Sequence, residues 1–274
     1  MAAGAVGLAL GAAVLHAVWN LVLARAPDTE AATAVALVLG VALFAVPALV
    51  LWEVDAAAWP YIAASTAFEL GYVITLAGAL TRGDLTVVYP LARGSAPVLV
   101  LAVSAGLLGA ATTPWQVAGV GLVAAGILLV RGLRRPDEPV AVALALACGG
   151  CIAGYTVVDA HGLDHASALP YLWIVMVLTV LGYVPLVART RGRVALRGAL
   201  RPATVVAAAL FFGAYLMVLA ALRLAEPGPV AAVRETSVVV ATALGFLILR
   251  EPVTRTRAAG ALVVVAGAAV IALS

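Results

Sequence analysis

Lysine is absent from this sequence, and charge of either sign is scarce: Asp, Glu, Lys and Arg together make up 11% of 274 residues. A soluble domain carries roughly 25%. Too few polar side chains remain to cover a water-facing surface, so the solvent implied is lipid, in keeping with 65% hydrophobic residues and a mean hydropathy of +1.16. No basic stripe with interleaved aromatics is present. The pI near 9.1 therefore argues for no nucleic-acid partner, because the arginines cluster in short connections. That every cation is Arg carries no functional weight, since base composition alone produces such a bias. Only two cysteines occur, Cys148 and Cys151, in an apolar segment with no second pair. Zinc ribbons and redox motifs are thereby disfavoured, apolar surroundings make a thiol inert, and the pair reads as small packing residues. No GxxxxGK[ST] loop is present, which excludes a nucleotide-driven pump of that kind. No connection is long enough for a soluble domain, and no cofactor is implied.

What is there is apolar length. A hydrocarbon core of ~30 Å needs about 20 apolar residues of helix. That ruler predicts ten spans: 2–24, 33–52, 58–80, 85–108, 115–131, 140–159, 169–188, 202–222, 229–249 and 256–274. The breaks between them hold the turn-formers and charges, as in "RAPDTE", "TRGD" and "RGLRRPDEP". Backbone groups in lipid must be satisfied within the segment, so these are helices. The first run, with no cation before it and His16, Trp19 and Asn20 inside it, reads as a retained span rather than a cleaved leader.

Sliding the chain by 141 residues lays Arg93 on Arg234, Gly119 on Gly260 and Gly126 on Gly267; at 143, "YVITLAGAL" from Tyr72 meets "YLMVLAALR" from Tyr215. The expectation is an all-α integral membrane protein of ten transmembrane helices, built as two five-helix repeats, 1–133 and 134–274. An odd number of spans per repeat makes the two halves inverted, a design common among secondary transporters, whose sites lie between the repeats. Gly119 with Gly126, and Gly260 with Gly267, are seven apart on one helix face and read as packing positions. Thirteen arginines fall in odd-numbered connections and Arg223 alone in even-numbered ones. The positive-inside rule then places the odd connections in the cytoplasm and both termini outside.

Apart from Arg131 and Arg257, which are counted with the connections they border, five charged residues fall inside the predicted spans: Glu69, Arg93, Asp159, Arg234 and Glu235. Each costs ~2.5–3.5 kcal/mol at mid-bilayer on insertion scales, so such residues face a cavity or a partner. Glu69 is central in its span, whereas Asp159 and Arg234 lie close enough to span ends to snorkel. His16, Trp19 and Asn20 share one helix face, as do Glu69 and Tyr72, Tyr89 and Arg93, and Tyr155 and Asp159. These pairs mark a solute cavity lined by His16, Trp19, Asn20, Tyr72, Tyr89 and Tyr155. The bland reading of the same pattern is a set of buried ion pairs and interfacial aromatics serving assembly. Pro90 and Pro97 bracket Arg93 and predict a bent helix with its cation turned into a polar interior. "HGLDH" (His161, Asp164, His165) is a candidate metal ligand set, but its place in a short Gly-containing connection favours a wet loop, and no metal is expected.

"HAVWN", "VVYPLARGSAPVL", "AGYTVVDAHG" and "VAAVRETSVVVATALGFLILREPVTRTRAAGALVVVAG" resemble the EamA branch of the drug/metabolite transporter superfamily over essentially the whole chain. The resemblance implies a secondary carrier rather than an enzyme, commonly an exporter of amino acids or other small metabolites in the cell membrane. Its members hold both termini in the cytoplasm, opposite to the arginine count, and both orientations stand as expectations. Under this reading Glu69 is the coupling or substrate-binding carboxylate. Arg93 and Arg234 hold a substrate carboxylate or neutralise Glu69 and Glu235, and protons are the candidate coupling ion. A lipid or polyprenyl-phosphate flippase and an integral-membrane enzyme acting on lipid-linked substrates are the alternatives. Oligomeric state is not legible.

Overall fold

A computed structural model describes all residues except 81, 83–84, 107–108, 110, 132–138, 241–242, 245–253 and 274, and the side chains of 24, 77, 80, 85–91, 130–131, 257 and 272. Among the described residues the chain is all-helical: α1 (Ala3–Ala24), α2 (Thr29–Val50), a 3-10 turn (Ala56–Ala58), α3 (Trp59–Leu80), α4 (Leu85–Gly106), α5 (Pro114–Arg131), α6 (Pro139–Gly162), α7 (Ala168–Thr190), α8 (Gly192–Gly198), α9 (Pro202–Leu222), α10 (Pro227–Arg234) and a carboxy-terminal α11 (Arg255–Leu273). Five of them, α1, α2, α6, α7 and α9, are long and apolar enough to cross a membrane by length and composition, and shorter apolar helices accompany them.

Local chemistry accounts for several boundaries. Asp28 caps α2 by accepting from the Ala31 amide at 3.0 Å, which satisfies one of the orphan donors at a helix start. α9 opens with Pro202, a residue pre-set for a first turn. Gly192, at φ 81°, lets the chain turn from α7 into α8 in a conformation that side chains with a Cβ resist. The 189–201 connection, read from the sequence as a loop, thus holds a seven-residue helix that carries Arg193 and Arg197.

One expectation needs correction. The ninth span, 229–249, is not continuous: α10 ends at Arg234, residues 235–236 form a turn, and helix resumes at 237–240. The amides of Glu235 and Thr236 reach back three residues, to Ala232 and Val233 at 3.2 and 3.1 Å, rather than four. The tightening sets Glu235 at a break inside the apolar layer, where irregular backbone is tolerated only when protein covers it. Glu235 is wholly buried. Helix α4, by contrast, stays helical past both Pro90 and Pro97.

Helices α3 and α6 pack together, as do α1 and α9, α5 and α11, α4 and α6, α4 and α5, and α2 and α7. Apolar burial gives helices little reason to associate in lipid, so close backbone approach matters more. The α5–α11 seam is of that kind. A Cβ on Gly126 would lie 2.7 Å from the Val264 amide nitrogen and 2.8 Å from the Gly260 carbonyl, and one on Gly119 would lie 2.9 Å from the Gly267 carbonyl. The cysteines belong to a similar seam. Gly149, between them, admits Ser95 and the Ala92 carbonyl of α4, and both thiols are free.

Connections meet in two places. The α2–α3 connection pairs with the α6–α7 connection through an isolated β-bridge, Val54 to Ala166. Asp55 donates its amide to His165 O (2.9 Å) and Ser167 donates to Glu53 O (2.8 Å). Arg223, after α9, donates to Leu163 O and Ala166 O of the same cluster. Elsewhere, Arg191 after α7 holds Glu30 of α2 in a two-pronged ion pair, both bonds 2.9 Å. Glu30 raises the Arg191 pKa further above its ordinary value.

Candidate functional site

The buried charged residues among those described are Glu69, Arg93, Asp159, Arg234 and Glu235, none more than 5% exposed. Asp159 and Arg234 therefore do not snorkel. At the helix break Arg93 donates from Nη1 to Glu235 Oε1 at 3.3 Å, and Arg234 Nε stands 3.9 Å from the same oxygen. Arg93 Nη2 contacts His16 Nε2. One guanidinium on α4 thus ties α1 to the break after α10. Glu235 Oε2 and the Nε and Nη2 of Arg234 are buried without hydrogen-bond partners among the described residues.

Asp159 occupies a different corner. Its Oδ1 accepts from Tyr171 OH (2.9 Å) and its Oδ2 from Tyr215 OH (2.7 Å), so two phenols from α7 and α9 hold this carboxylate. Charge-assisted bonds of this sort are about twice as strong as neutral ones.

Between these corners lies a narrow, partly open pocket. Glu69 and Arg234 both line it, together with His16, Trp19, Tyr72, Tyr155, Phe211 and Tyr215. The aromatics interlock: Tyr155 lies 6.3 Å from Tyr72 and 6.0 Å from Tyr215 between ring centroids, and Trp19 meets His16 and Phe211 edge-on at 4.9 and 5.2 Å. The buried Trp19 Nε1 has no partner among the described residues. A small wall of aromatic faces carrying one carboxylate and one guanidinium can take an apolar body and orient a charged head.

Several predicted site residues lie outside the lining. Arg93, Glu235 and Asp159 stand behind it in the two networks above. Asn20 Nδ2 donates to the His16 carbonyl one turn back, at 2.8 Å, so that amide serves its own helix. The side chains of Tyr89 and Pro90 lie outside the described residues, and Pro97 is buried. Among the described residues no three His, Cys, Asp or Glu side chains group as metal ligands. His165 stacks on Tyr61 instead (5.6 Å), and His161 Nδ1 bonds the Val157 carbonyl.

Sequence reasoning missed Tyr171, Tyr215 and Phe211. For Tyr215 a signal existed: the repeat sets it on Tyr72, already chosen as lining. Tyr171 and Phe211 sit in ordinary apolar runs, and only packing brings them to the site.

A polytopic helical membrane protein with a buried polar centre is what this fold and pocket define. Residues 139–273, the second half of the chain, match the model of the EamA-like transporter family. Its members are transporters, not enzymes. A solved protein crystal structure aligns with 98% of this chain and 97% of its own at a TM-score of 0.74 and 17% identity, which extends the shared fold to the first half. The comparison with curated proteins returns no match.

Proposed function

We propose that the protein is a secondary carrier of the cell membrane that exports small polar metabolites such as amino acids by alternating access, with protons as the coupling ion. The observation that carries the reading is the joint presence of Glu69 and Arg234 in one aromatic-lined pocket. An α-amino acid presents an ammonium and a carboxylate on one carbon, and the pocket offers an opposite charge to each, with Trp19 and Phe211 beside its side chain. Glu69 then serves as the carboxylate that binds solute or proton. Three buried carboxylates face two guanidiniums, an imbalance that a proton or a cationic head relieves. A phosphate-gripping flippase wants cations in excess at the pocket, and Glu69 opposes that.

Alternating access needs two units that move against each other, and the packing supports a division at 1–133 and 134–274. Exchange α1 with α6, α2 with α7, α3 with α9, α4 with α10 and α5 with α11. The pair α1–α9 becomes α6–α3, α4–α6 becomes α10–α1, α4–α5 becomes α10–α11, and α2–α9 becomes α7–α3; each of these pairs is in contact. The loop contacts also favour ten alternating spans. Among the described residues connection six meets two and eight, and one meets seven, so even meets even and odd meets odd.

Reconstituted vesicles with an imposed pH gradient test the reading. Labelled amino acids are expected to move against their own gradient, and Glu69→Gln is expected to abolish that flux while leaving the melting temperature within a few degrees. Flux that survives the substitution removes Glu69 from the mechanism, and no flux of any amino acid removes the carrier for this class.

A further inference from the structure

The contact between Arg93 and His16 has a chemical requirement. A guanidinium has five N–H donors and no acceptor, and it stays charged at any pH a protein meets. His16 Nε2, facing Arg93 Nη2, must therefore supply a lone pair, which only the neutral ring does. A proton on that nitrogen turns the acceptor into a donor and sets a second cation against Arg93. Arg234, from α10, adds to the repulsion. Other charged or titratable groups around His16 are Glu235 at the helix break, held by Arg93, and, lining the same pocket, Glu69 and Tyr72 of α3, Tyr155 of α6 and Tyr215 of α9. From α2, Glu30 is engaged with Arg191 at the membrane edge. Arg93 keeps Glu235 as a partner when His16 is charged, so only the tie to α1 is lost.

We infer that His16 is a proton-operated latch that joins α1 to α4 and the α10 break when neutral and releases α1 when protonated, opening the solute pocket. Helix α1 carries Ala12, His16 and Trp19 of the pocket wall, so freeing it moves one side of the cavity. The tie is made at high pH and broken at low pH. The inference rests on the carrier reading of this pocket, and it assigns the gating proton to His16 as a positioning residue, distinct from the solute-binding role of Glu69.

The test needs no known solute. In full-length protein in nanodiscs, with Cys148→Ala and Cys151→Ala, a cysteine at Ala214 reports on the pocket and one at exposed Thr113 serves as reference. The rate of modification by methyl methanethiosulfonate at the pocket, divided by that at the reference, removes the intrinsic pH dependence of thiols. Burial beside Arg93 and Arg234 opposes the charged ring, so the acid end of the titration is carried below the ordinary histidine range. From about pH 8 to that end the ratio is expected to rise about tenfold with His16 present, a modest population shift. With His16→Gln, whose amide oxygen accepts from Arg93 at any pH, it is expected to stay flat at its high-pH value. With Glu69→Gln it is expected to keep rising. A flat ratio in the parent, or an equal rise in His16→Gln, overturns the latch. Nitrogen NMR of His16, with His161 and His165 replaced by Gln, is independent of how His16→Gln folds. A neutral ring with bare Nε2 at high pH that becomes imidazolium on acidification supports the latch, and a ring charged at high pH overturns it. Solute flux stays a separate readout: flux with an ungated pocket sinks the latch alone, whereas a gated pocket that moves no solute sinks the carrier.

Discussion

Asp159 shows at the residue scale how a carboxylate is kept inside an apolar body. Buried charges persist only with partners that replace water, and Tyr171 and Tyr215 do so, one on each oxygen. Removing one donor leaves that oxygen of a buried carboxylate without its bond. Tyr171→Phe is therefore expected to cost about 1–3 kcal/mol, the usual penalty for an unsatisfied buried acceptor. Thermal unfolding in detergent checks it, and an unchanged melting temperature would mean the Asp159 network is not closed by Tyr171. The Arg191–Glu30 pair makes the contrast. Exposed side chains there are screened by salt and water, so Arg191→Gln is expected to leave the melting temperature at high ionic strength unmoved.

At the scale of elements, two features organise the molecule: a seam and a break. The seam between α5 and α11 depends on glycines whose missing Cβ atoms make room for backbone. A methyl at Gly126 meets the Val264 amide nitrogen and the Gly260 carbonyl, which cannot rotate away, whereas one at Gly121 meets nothing within 4 Å. Gly126→Ala is expected to destabilise by about 1–3 kcal/mol through overpacking. Gly121→Ala, on the same helix, is expected to be neutral or to gain up to about 1 kcal/mol from helix propensity. Equal melting temperatures for the two would dissolve the seam. The glycine spacing was legible in the sequence because small residues at a seven-residue interval mark a face whatever the partner. The break after α10 was not: "VAAVRETSVVV" carries no glycine or proline, and at its turn Glu235 meets Arg93 of another helix.

For the whole molecule, the contacts between connections among the described residues are those that ten alternating spans would make. Cysteines placed singly at Arg193 and Asp164, in connections seven and six, are expected to label from opposite faces of intact cells with a membrane-impermeant reagent. Labelling of both from one face would overturn the alternating ten-span arrangement. Which of the two labels from outside decides between the arginine count and the orientation that the family resemblance implies.

Sequence alone determined the solvent, most of the helices and which residues are costly to bury. Lipid compels internal hydrogen bonding and makes each buried charge expensive, and both facts are readable one residue at a time. Tertiary structure decided the pairing: Arg93 with Glu235 and His16, Asp159 with two tyrosines, and Glu69 in one pocket with Arg234. Side chains 77 or 142 positions apart along the chain meet only once helix crossings set their depth and rotation. Those crossings follow from the fit of many small surfaces, which no local pattern encodes.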